Sequence, residues 1–276
     1  MPKNKMGQNF LIDLNLLDLI VQTAELSHSD SVLEVGTGTG SLTAKISDKA
    51  GALTSVELDL DFSRMAFELH SWRPNLSLMH HDILERKNEM NPGVMAEWER
   101  MTIARGCTSR KLVANLPYVV ATPVIANLLI AGPVIDRMVV MVQWEMAERM
   151  MAQPSTKAYG SLAILVQALA RVSIVRRLPP TAFWPQPKVD SAIIDIRPDP
   201  EMRKRIPDVA GFRAFLRDLY TQRRKSLRHA LSGWPGGRRE KKDVDAKLAE
   251  AGIDGASRAE AHDLAMHLRL YEIFGN

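Results

Sequence analysis

Five short apolar runs, rich in β-branched residues, recur along the first half of the chain, with helix-like stretches between most of them. This alternation limits the fold more than any other feature. The runs are Ser31–Gly36, Ala52–Leu58, Leu76–Asp82, Lys111–Tyr118 and Arg137–Gln143. A helix between two strands carries the chain back to the same end of the sheet, so the strands lie parallel and helices cover both faces. Leu14, Leu17, Ile20, Val21 and Ala24 fall on one face of a first helix, and Asp13 is placed to cap it. Two later runs, Val172–Leu178 and Ser191–Arg197, are joined by PPTAFWPQPK, which is too stiff and too short for a crossover helix. They are expected to close the sheet as an antiparallel pair. From about Asp199 the pattern turns helical, with FRAFLRDLY and DAKLAEAGI as the clearest pieces. The expected architecture is α/β, a doubly wound and mostly parallel sheet over residues 1–198, followed by a small all-α domain over 199–276.

Charge separates the same two parts. Between Glu201 and Lys242 thirteen basic residues face four acidic ones, so this segment is +9 and the remainder is −5 within a total of +4. A basic segment on a slightly acidic body suggests a polyanion as partner; the plainer reading is a solvated helix face. A single cysteine, Cys107, excludes a disulfide framework and a Cys-based zinc site. The start, MPKNKMGQNF, has no apolar stretch behind its lysines, and the most apolar segment, Leu112–Ile135, is broken by Pro117, Pro123 and Pro133. Neither a secretory signal nor a membrane span is expected, and the chain reads as soluble and cytoplasmic.

The first apolar run leads into Gly36-Thr37-Gly38-Thr39-Gly40 and then a helix-like SLTAKISDKA. Glycines after a strand let the backbone turn sharply and let a ligand approach the main chain. The dinucleotide fingerprint fails, because Ser41 or Thr43 stands where its third glycine belongs, and no Gly-Lys-Ser/Thr follows for a phosphate loop. What remains, Glu34-x-Gly36-x-Gly38-x-Gly40, resembles the S-adenosylmethionine site of class I methyltransferases. Glu57 ends the second strand, where a carboxylate can accept hydrogen bonds from both ribose hydroxyls. Asp82 ends the third, where that superfamily commonly has an acid contacting the adenine amine. His80 and His81 alternate in direction on a strand and read as packing residues, so no metal is expected.

The fourth run ends in Asn115-Leu116-Pro117-Tyr118. This resembles the (N/D)-P/L-P-Y/F motif of methyltransferases acting on the exocyclic amine of adenine, and the chemistry explains the residue types. The amine is a poor nucleophile because its lone pair is delocalised into the ring. The Asn115 side-chain oxygen and the Leu116 carbonyl can accept its N–H bonds and draw the nitrogen toward tetrahedral geometry. Pro117 stiffens the presentation of that carbonyl, and Tyr118 offers the base a stacking face. No strong general base is needed, since the proton can leave after methyl transfer.

Taken together these segments resemble the ribosomal RNA adenine dimethyltransferase family, in particular its small-subunit branch. The resemblance runs almost end to end, through Gly7-Gln8-Asn9-Phe10-Leu11-Ile12-Asp13, VLEVGTGTGSLT, VELD, NLPY, Lys157-Ala158-Tyr159-Gly160, Phe183 to Ala192 and Gln222-Arg223-Arg224-Lys225. It implies a seven-stranded class I fold with S-adenosylmethionine as cofactor. It also implies dimethylation at N6 of two adjacent adenines in the 3′-terminal hairpin of small-subunit rRNA, on a late assembly particle of the small ribosomal subunit. The cofactor residues it implies are Gln8, Asn9, Leu11, Glu34, Gly36, Gly38, Gly40, Glu57, Leu58, Asp82, Ile83 and Asn115. Phe183 would lie across from Tyr118 with the flipped adenine between them. Lys188, Arg223, Arg224, Lys225 and Arg228 would meet RNA phosphates, and the protein would work as a monomer.

The chain departs from the family pattern in places. Trp144 stands where a lysine is common between Gln143 and Glu145, and the stretches Ile83–Arg110 and WPGGRREKK look longer than usual. Three other readings compete. KAYGSLAILVQ and PKVDSA argue against a large-subunit resistance methyltransferase. The intact Glu57, Asp82, Asn115, Pro117 and Tyr118 argue against an assembly or transcription factor without catalysis. The +9 segment argues against a small-molecule methyltransferase.

Overall fold

The computed structural model describes residues 9–130, 134–233 and 239–275. Seven strands form one sheet: β1 (Asp30–Val35), β2 (Ala52–Glu57), β3 (Leu76–His80), β4 (Ser109–Asn115), β5 (Arg137–Gln143), β6 (Ala170–Leu178) and β7 (Ser191–Pro198). Their order across the sheet is β3-β2-β1-β4-β5-β7-β6. Strands β1 to β5 pair in parallel, and β7 runs antiparallel to β5. The expected α/β class holds. The two late runs are neighbours at the edge, with only a 3-10 turn, Pro180–Ala182, and a two-residue strand, Phe183–Trp184, between them.

Helix α1 (Leu14–Ala24) precedes β1, and the parallel strands are linked by α2 (Ser41–Ser47), α3 (Leu60–His70), α4 (Pro92–Ala104) and α5 (Tyr118–Ile130). Asp13 caps α1 by accepting the Asn15 amide at 2.9 Å. Leu17, Ile20, Val21 and Ala24 are buried, while Leu14 stays exposed. That stripe packs with Leu42 and Ile46 of α2 against Val32, Leu53, Val113 and Val139 of the central strands. Every residue of β1 and β2 is buried, as strands covered on both faces require. The long stretch Ile83–Arg110 contains a small hairpin, Leu84–Arg86 with Glu89–Met90, and then α4, capped by Asn91 and anchored by the buried Val94, Trp98 and Met101. It is the crossover from β3 to β4. Because β1 to β4 are parallel, their C-terminal ends share one edge of the sheet, and the motifs meet there.

The chain divides into two compact units. One holds residues up to Ala147 together with Val172–Pro198, and the other holds Glu148–Arg171 together with Asp199–Asn276. One cut falls between Pro198 and Asp199, and the segment Glu148–Arg171, expected within residues 1–198, groups with the C-terminal residues. The remaining helices are α6 (Trp144–Met151), α7 (Ser161–Gln167), α8 (Pro200–Lys204), α9 (Val209–Thr221), α10 (Leu227–Ser232), α11 (Lys241–Glu250) and α12 (Leu264–Phe274). In the second unit α7 packs against α9 and α12. Tyr159 lies edge-on to the buried His267 ring, and Tyr220 stacks on that ring. Burial lowers His267 to about 4, so it is a neutral packing group: Nδ1 donates to the Asp263 carbonyl, which leaves Nε2 to accept from the Tyr220 hydroxyl. Among the described residues no helix is long and apolar enough to cross a membrane.

Candidate active site

A cavity of about 300 Å³ opens at the C-terminal ends of β1, β2, β3 and β4. Its floor is the turn after β1. Gly36 takes φ +86°, Gly38 +55° and Gly40 +79°, a left-handed run that side chains other than glycine rarely adopt. Space is tight as well at the first of these. A Cβ on Gly36 would lie 3.1 Å from the Pro117 ring, so the loop and the turn after β4 are in direct apposition.

Two carboxylates shape this floor differently. Glu57, nearly buried at the end of β2, accepts the Gly38 amide through Oε2 at 2.8 Å and the Asp59 amide through Oε1 at 2.8 Å. Each oxygen keeps a second lone pair, and the residue lines the cavity, so it can receive two ligand hydroxyls. Glu34 lies beneath the loop and does not line the cavity. Its Oε2 accepts from Thr43 at 2.7 Å and from Ser55 at 2.6 Å, and Ser55 in turn meets Thr37. The expected cofactor contact at Glu34 is thereby corrected: the side chain fastens α2 and β2 under the glycines. Gly40 likewise sits at the N-cap of α2, off the cavity wall.

Burial pushes the Glu34 carboxyl up to about 8, with the Glu57 charge adding to the rise and the two hydroxyls opposing it. Its Oε1 is buried without a hydrogen-bond partner, which suits a neutral acid. The folded state thus binds a proton that the unfolded chain releases above about 4.5. The stability this group contributes is complete below that value and is lost as pH rises through about 8. Thermal unfolding between pH 6 and 9 should show a falling midpoint, while Glu34→Gln should flatten the profile and become the more stable protein at pH 9. The difference should amount to a few kcal/mol, on the order of 1.4 per pKa unit. Parallel profiles for the two proteins would contradict the assignment.

The cavity wall from β3 contains Asp82, Ile83 and the neighbouring His81, with Leu58 across from β2. Asp82 is exposed and accepts the Leu84 amide at 2.9 Å. His80 and His81 are both exposed, not packed as expected; His80 meets the Leu58 carbonyl at 3.1 Å, and His81 faces the cavity.

The last wall is Asn115 to Val120, following β4. The Asn115 amide donates to the Asn9 carbonyl at 3.1 Å. A carbonyl can only accept, so Nδ2 must face Asn9 and Oδ1 is turned away as an acceptor. The Leu116 side chain is buried, and its amide donates to the Met141 carbonyl, tying the turn to β5. Tyr118 is half-buried at the start of α5, its hydroxyl 2.6 Å from Ser191 Oγ at the start of β7. Burial raises its pKa against that hydrogen bond, so it remains a phenol with a fixed ring and is unfit as a base.

Residues 9–11 form a further part of the cavity wall. Phe10 and Leu11 pair antiparallel with Trp184 and Phe183, and Asn9, Phe10 and Leu11 all line the cavity. Gln8 lies outside the described residues. Phe10 was not among the expected contacts, although its ring sits 2.9 Å from where a Gly38 Cβ would be and 4.8 Å from the Phe62 ring. Its only signal in the sequence is an aromatic next to Leu11. The hydroxyl-bearing Thr37, Thr39 and Ser41 and the apolar Val119 and Val120 also line the site without having been singled out.

Phe183 is a correction. It is 1% exposed, belongs to the core cluster with Leu17 and Leu178, and does not line the cavity, so it presents no free face to a base. Of the expected RNA contacts, Lys188, Arg224 and Lys225 are exposed. Arg223 is engaged within its own unit, bonded to Glu260 at 2.5 Å and to the Lys157 carbonyl at 2.9 Å, and Arg228 is paired with Asp245. A guanidinium already held by a carboxylate and a carbonyl acts first as a brace.

The model of the ribosomal RNA adenine dimethylase family matches residues 2–274. Proteins named ribosomal RNA small subunit methyltransferase A are similar along most of the chain. The one from Halothermothrix orenii is 38% identical over 92% of this chain and 82% of its own length. The one from Latilactobacillus sakei is 39% identical over 94% and 84%. A crystal structure of a dimethyladenosine transferase from Plasmodium falciparum superposes with a TM-score of 0.77 at 25% identity, covering 96% of this chain and 97% of that one. The 23S rRNA methyltransferase ErmE shares the fold, with a TM-score of 0.63 at 24% identity over 97% and 100% of the two chains.

Proposed function

The chain belongs to the ribosomal RNA adenine dimethylase family, and from that premise we propose that it dimethylates N6 of two adjacent adenines in the 3′-terminal hairpin of small-subunit rRNA. It acts late in assembly of that subunit, as a cytoplasmic monomer. Similarity to small-subunit enzymes over more than nine-tenths of the chain favours this substrate over large-subunit RNA. As a member of the family it uses S-adenosylmethionine.

The residues present fit that cofactor. A glycine floor that a Cβ would obstruct, a strand-end carboxylate with spare lone pairs, and apolar walls from Leu58 and Ile83 match a nucleoside carrying vicinal hydroxyls. Glu57 would hold the ribose and Asp82 the adenine amine, with Asn9 and Leu11 alongside. When bound, the cofactor supplies an electrophilic methyl on a sulfonium.

The observation that carries the reading is the Asn115 amide, turned by the Asn9 carbonyl so that Oδ1 is the group left to meet a substrate N–H. An adenine amine bonded there and at the Leu116 carbonyl loses planarity, and its lone pair is freed for attack. Tyr118, pinned by Ser191, steadies the ring of the base. The departing proton needs no residue of the chain, in keeping with a wall formed of amide, carbonyl and phenol.

Primer extension tests the assignment in cells. A dimethylated N6 has no Watson–Crick donor, so reverse transcription stops at each modified adenine. Small-subunit RNA from cells lacking this protein should lose two adjacent stops near its 3′ end, and the wild-type chain should restore them. Stops that persist in the deletion strain would refute the proposed substrate.

A further inference from the structure

The burial of Phe183 leaves another aromatic in view. Within a strand, side chains alternate, and residues directly opposite across an antiparallel pair share a face. Phe183 pairs with Leu11, and both meet the core: Phe183 is part of the cluster and Leu11 packs against it. Trp184 pairs with Phe10, so these two share the other face. Phe10 lines the cavity and lies over Gly38, whereas Trp184 is 58% exposed. Phe62 and Phe10 are in ring contact beside the cofactor loop, and Trp184, paired with Phe10 on the same face, presents an indole open to solvent.

We infer that Trp184 is a stacking platform for an unpaired RNA base next to the target adenine, with Lys188 serving a neighbouring phosphate. This rests on the RNA substrate proposed above. Three observations favour RNA at this face. The indole lies on the same strand face as its partner Phe10, which lines the cavity, although Trp184 itself stands outside the lining. Lys188, four residues on, is exposed and no described acidic residue pairs with it, whereas the nearby Asp190 is already bonded to Arg177 at 2.6 Å. The linker from Leu178 to Ser191 offers the exposed Trp184 and Lys188 together, an aromatic and a cation of the kind that hold single strands through a π-face and a phosphate. An indole face accepts any base, so Trp184 positions the strand without reading its sequence. Phe183 then serves as the anchor that sets Trp184 outward.

The test compares wild type, Trp184→Ala, Trp184→Phe and Lys188→Ala for binding to unmodified small subunits, for methyl transfer to them, and for S-adenosylmethionine affinity by calorimetry. Trp184→Ala should bind particles about tenfold or more weaker, as expected for one lost base–aromatic stack, with Trp184→Phe recovering most of the loss and cofactor affinity unchanged in both. Lys188→Ala should reduce the slope of log K against log salt by about 0.7, the contribution of one phosphate on a single strand. Equal particle binding by wild type and Trp184→Ala would overturn the inference, whatever the methyl-transfer result. A parallel fall in cofactor affinity would also overturn it, by making Trp184 a cover for the cofactor. Failure of the wild type to methylate any particle would instead refute the proposed function, and the binding comparison would still decide the role of Trp184.

Discussion

Asn115→Ala should lower single-turnover methyl transfer by about 10²–10³-fold, the usual loss when one preorganised hydrogen-bonding group is removed from a reacting centre. The expectation follows from orientation as much as from chemistry. The Asn9 carbonyl takes the Asn115 amide hydrogen at 3.1 Å, so the side chain waits with Oδ1 already turned out, before substrate arrives. Asn115→Asp separates the two contributions. It keeps an acceptor but cannot donate to Asn9, and it sets a carboxylate against a carbonyl, so most of the loss should persist. Thermal midpoints of both variants should stay near that of the wild type, because the side chain is only partly buried. A rate close to wild type for Asn115→Ala would mean that the amine is activated elsewhere.

The largest effect on stability should come from Arg137, far from the chemistry. It opens β5, at the strand ends opposite the cavity, and it is nearly buried. Its guanidinium meets Asp195 of β7 through Nε at 2.9 Å and through a terminal nitrogen at 2.8 Å, and reaches Glu25 at 3.1 Å. Burial pushes the Asp195 carboxyl up, but bonds and charge from Arg137 and Arg197 outweigh it and hold the group below the ordinary carboxylate range. Arg137→Met leaves Asp195 nearly buried with Arg197 alone, a half-exposed partner. Removing one member of such a pair costs about 3–5 kcal/mol, or roughly 10 °C of midpoint for a domain of this size. Restoring neutrality with Arg137→Met/Asp195→Leu should recover much of it. The sign with pH is fixed by the lowered Asp195 value: the pair stabilises fully above the unfolded carboxylate range, and the gap between wild type and Arg137→Met narrows as pH falls below that range and through the lowered Asp195 value. Cofactor affinity measured well below the midpoint should not change. An unchanged midpoint would show the pair to be dispensable.

The sequence carried the frame of the protein and the chemistry of its strand ends. Period and spacing gave a parallel sheet whose loops converge, and the residues at the ends of β1, β2, β3 and β4 line one cavity. What it could not show were directions that depend on tertiary partners. Glu34 sits two residues before the first loop glycine, but whether its carboxyl points to a ligand or beneath the turn depends on Thr43 and Ser55, brought by α2 and β2. Phe183 and Trp184 are adjacent aromatics in a two-residue strand, too short for its own pattern to tell inside from outside; pairing with Phe10 and Leu11 decides it. Arg223 belongs to a run of three cations, and only the approach of Glu260 and the Lys157 carbonyl separates a brace from a phosphate contact. The helical role of Glu148–Arg171 was hidden for a related reason, since α7 is short and finds its partners in helices more than forty residues later.

The most direct measurement follows radiolabelled methyl groups from S-adenosylmethionine into unmodified small subunits, large subunits and naked rRNA, with nucleoside analysis of each product. The account predicts dimethyladenosine in small-subunit particles, loss of that product with Asn115→Ala, and little or none in the other two substrates. Label in large-subunit RNA, or a cofactor that binds while no substrate is methylated, would contradict it.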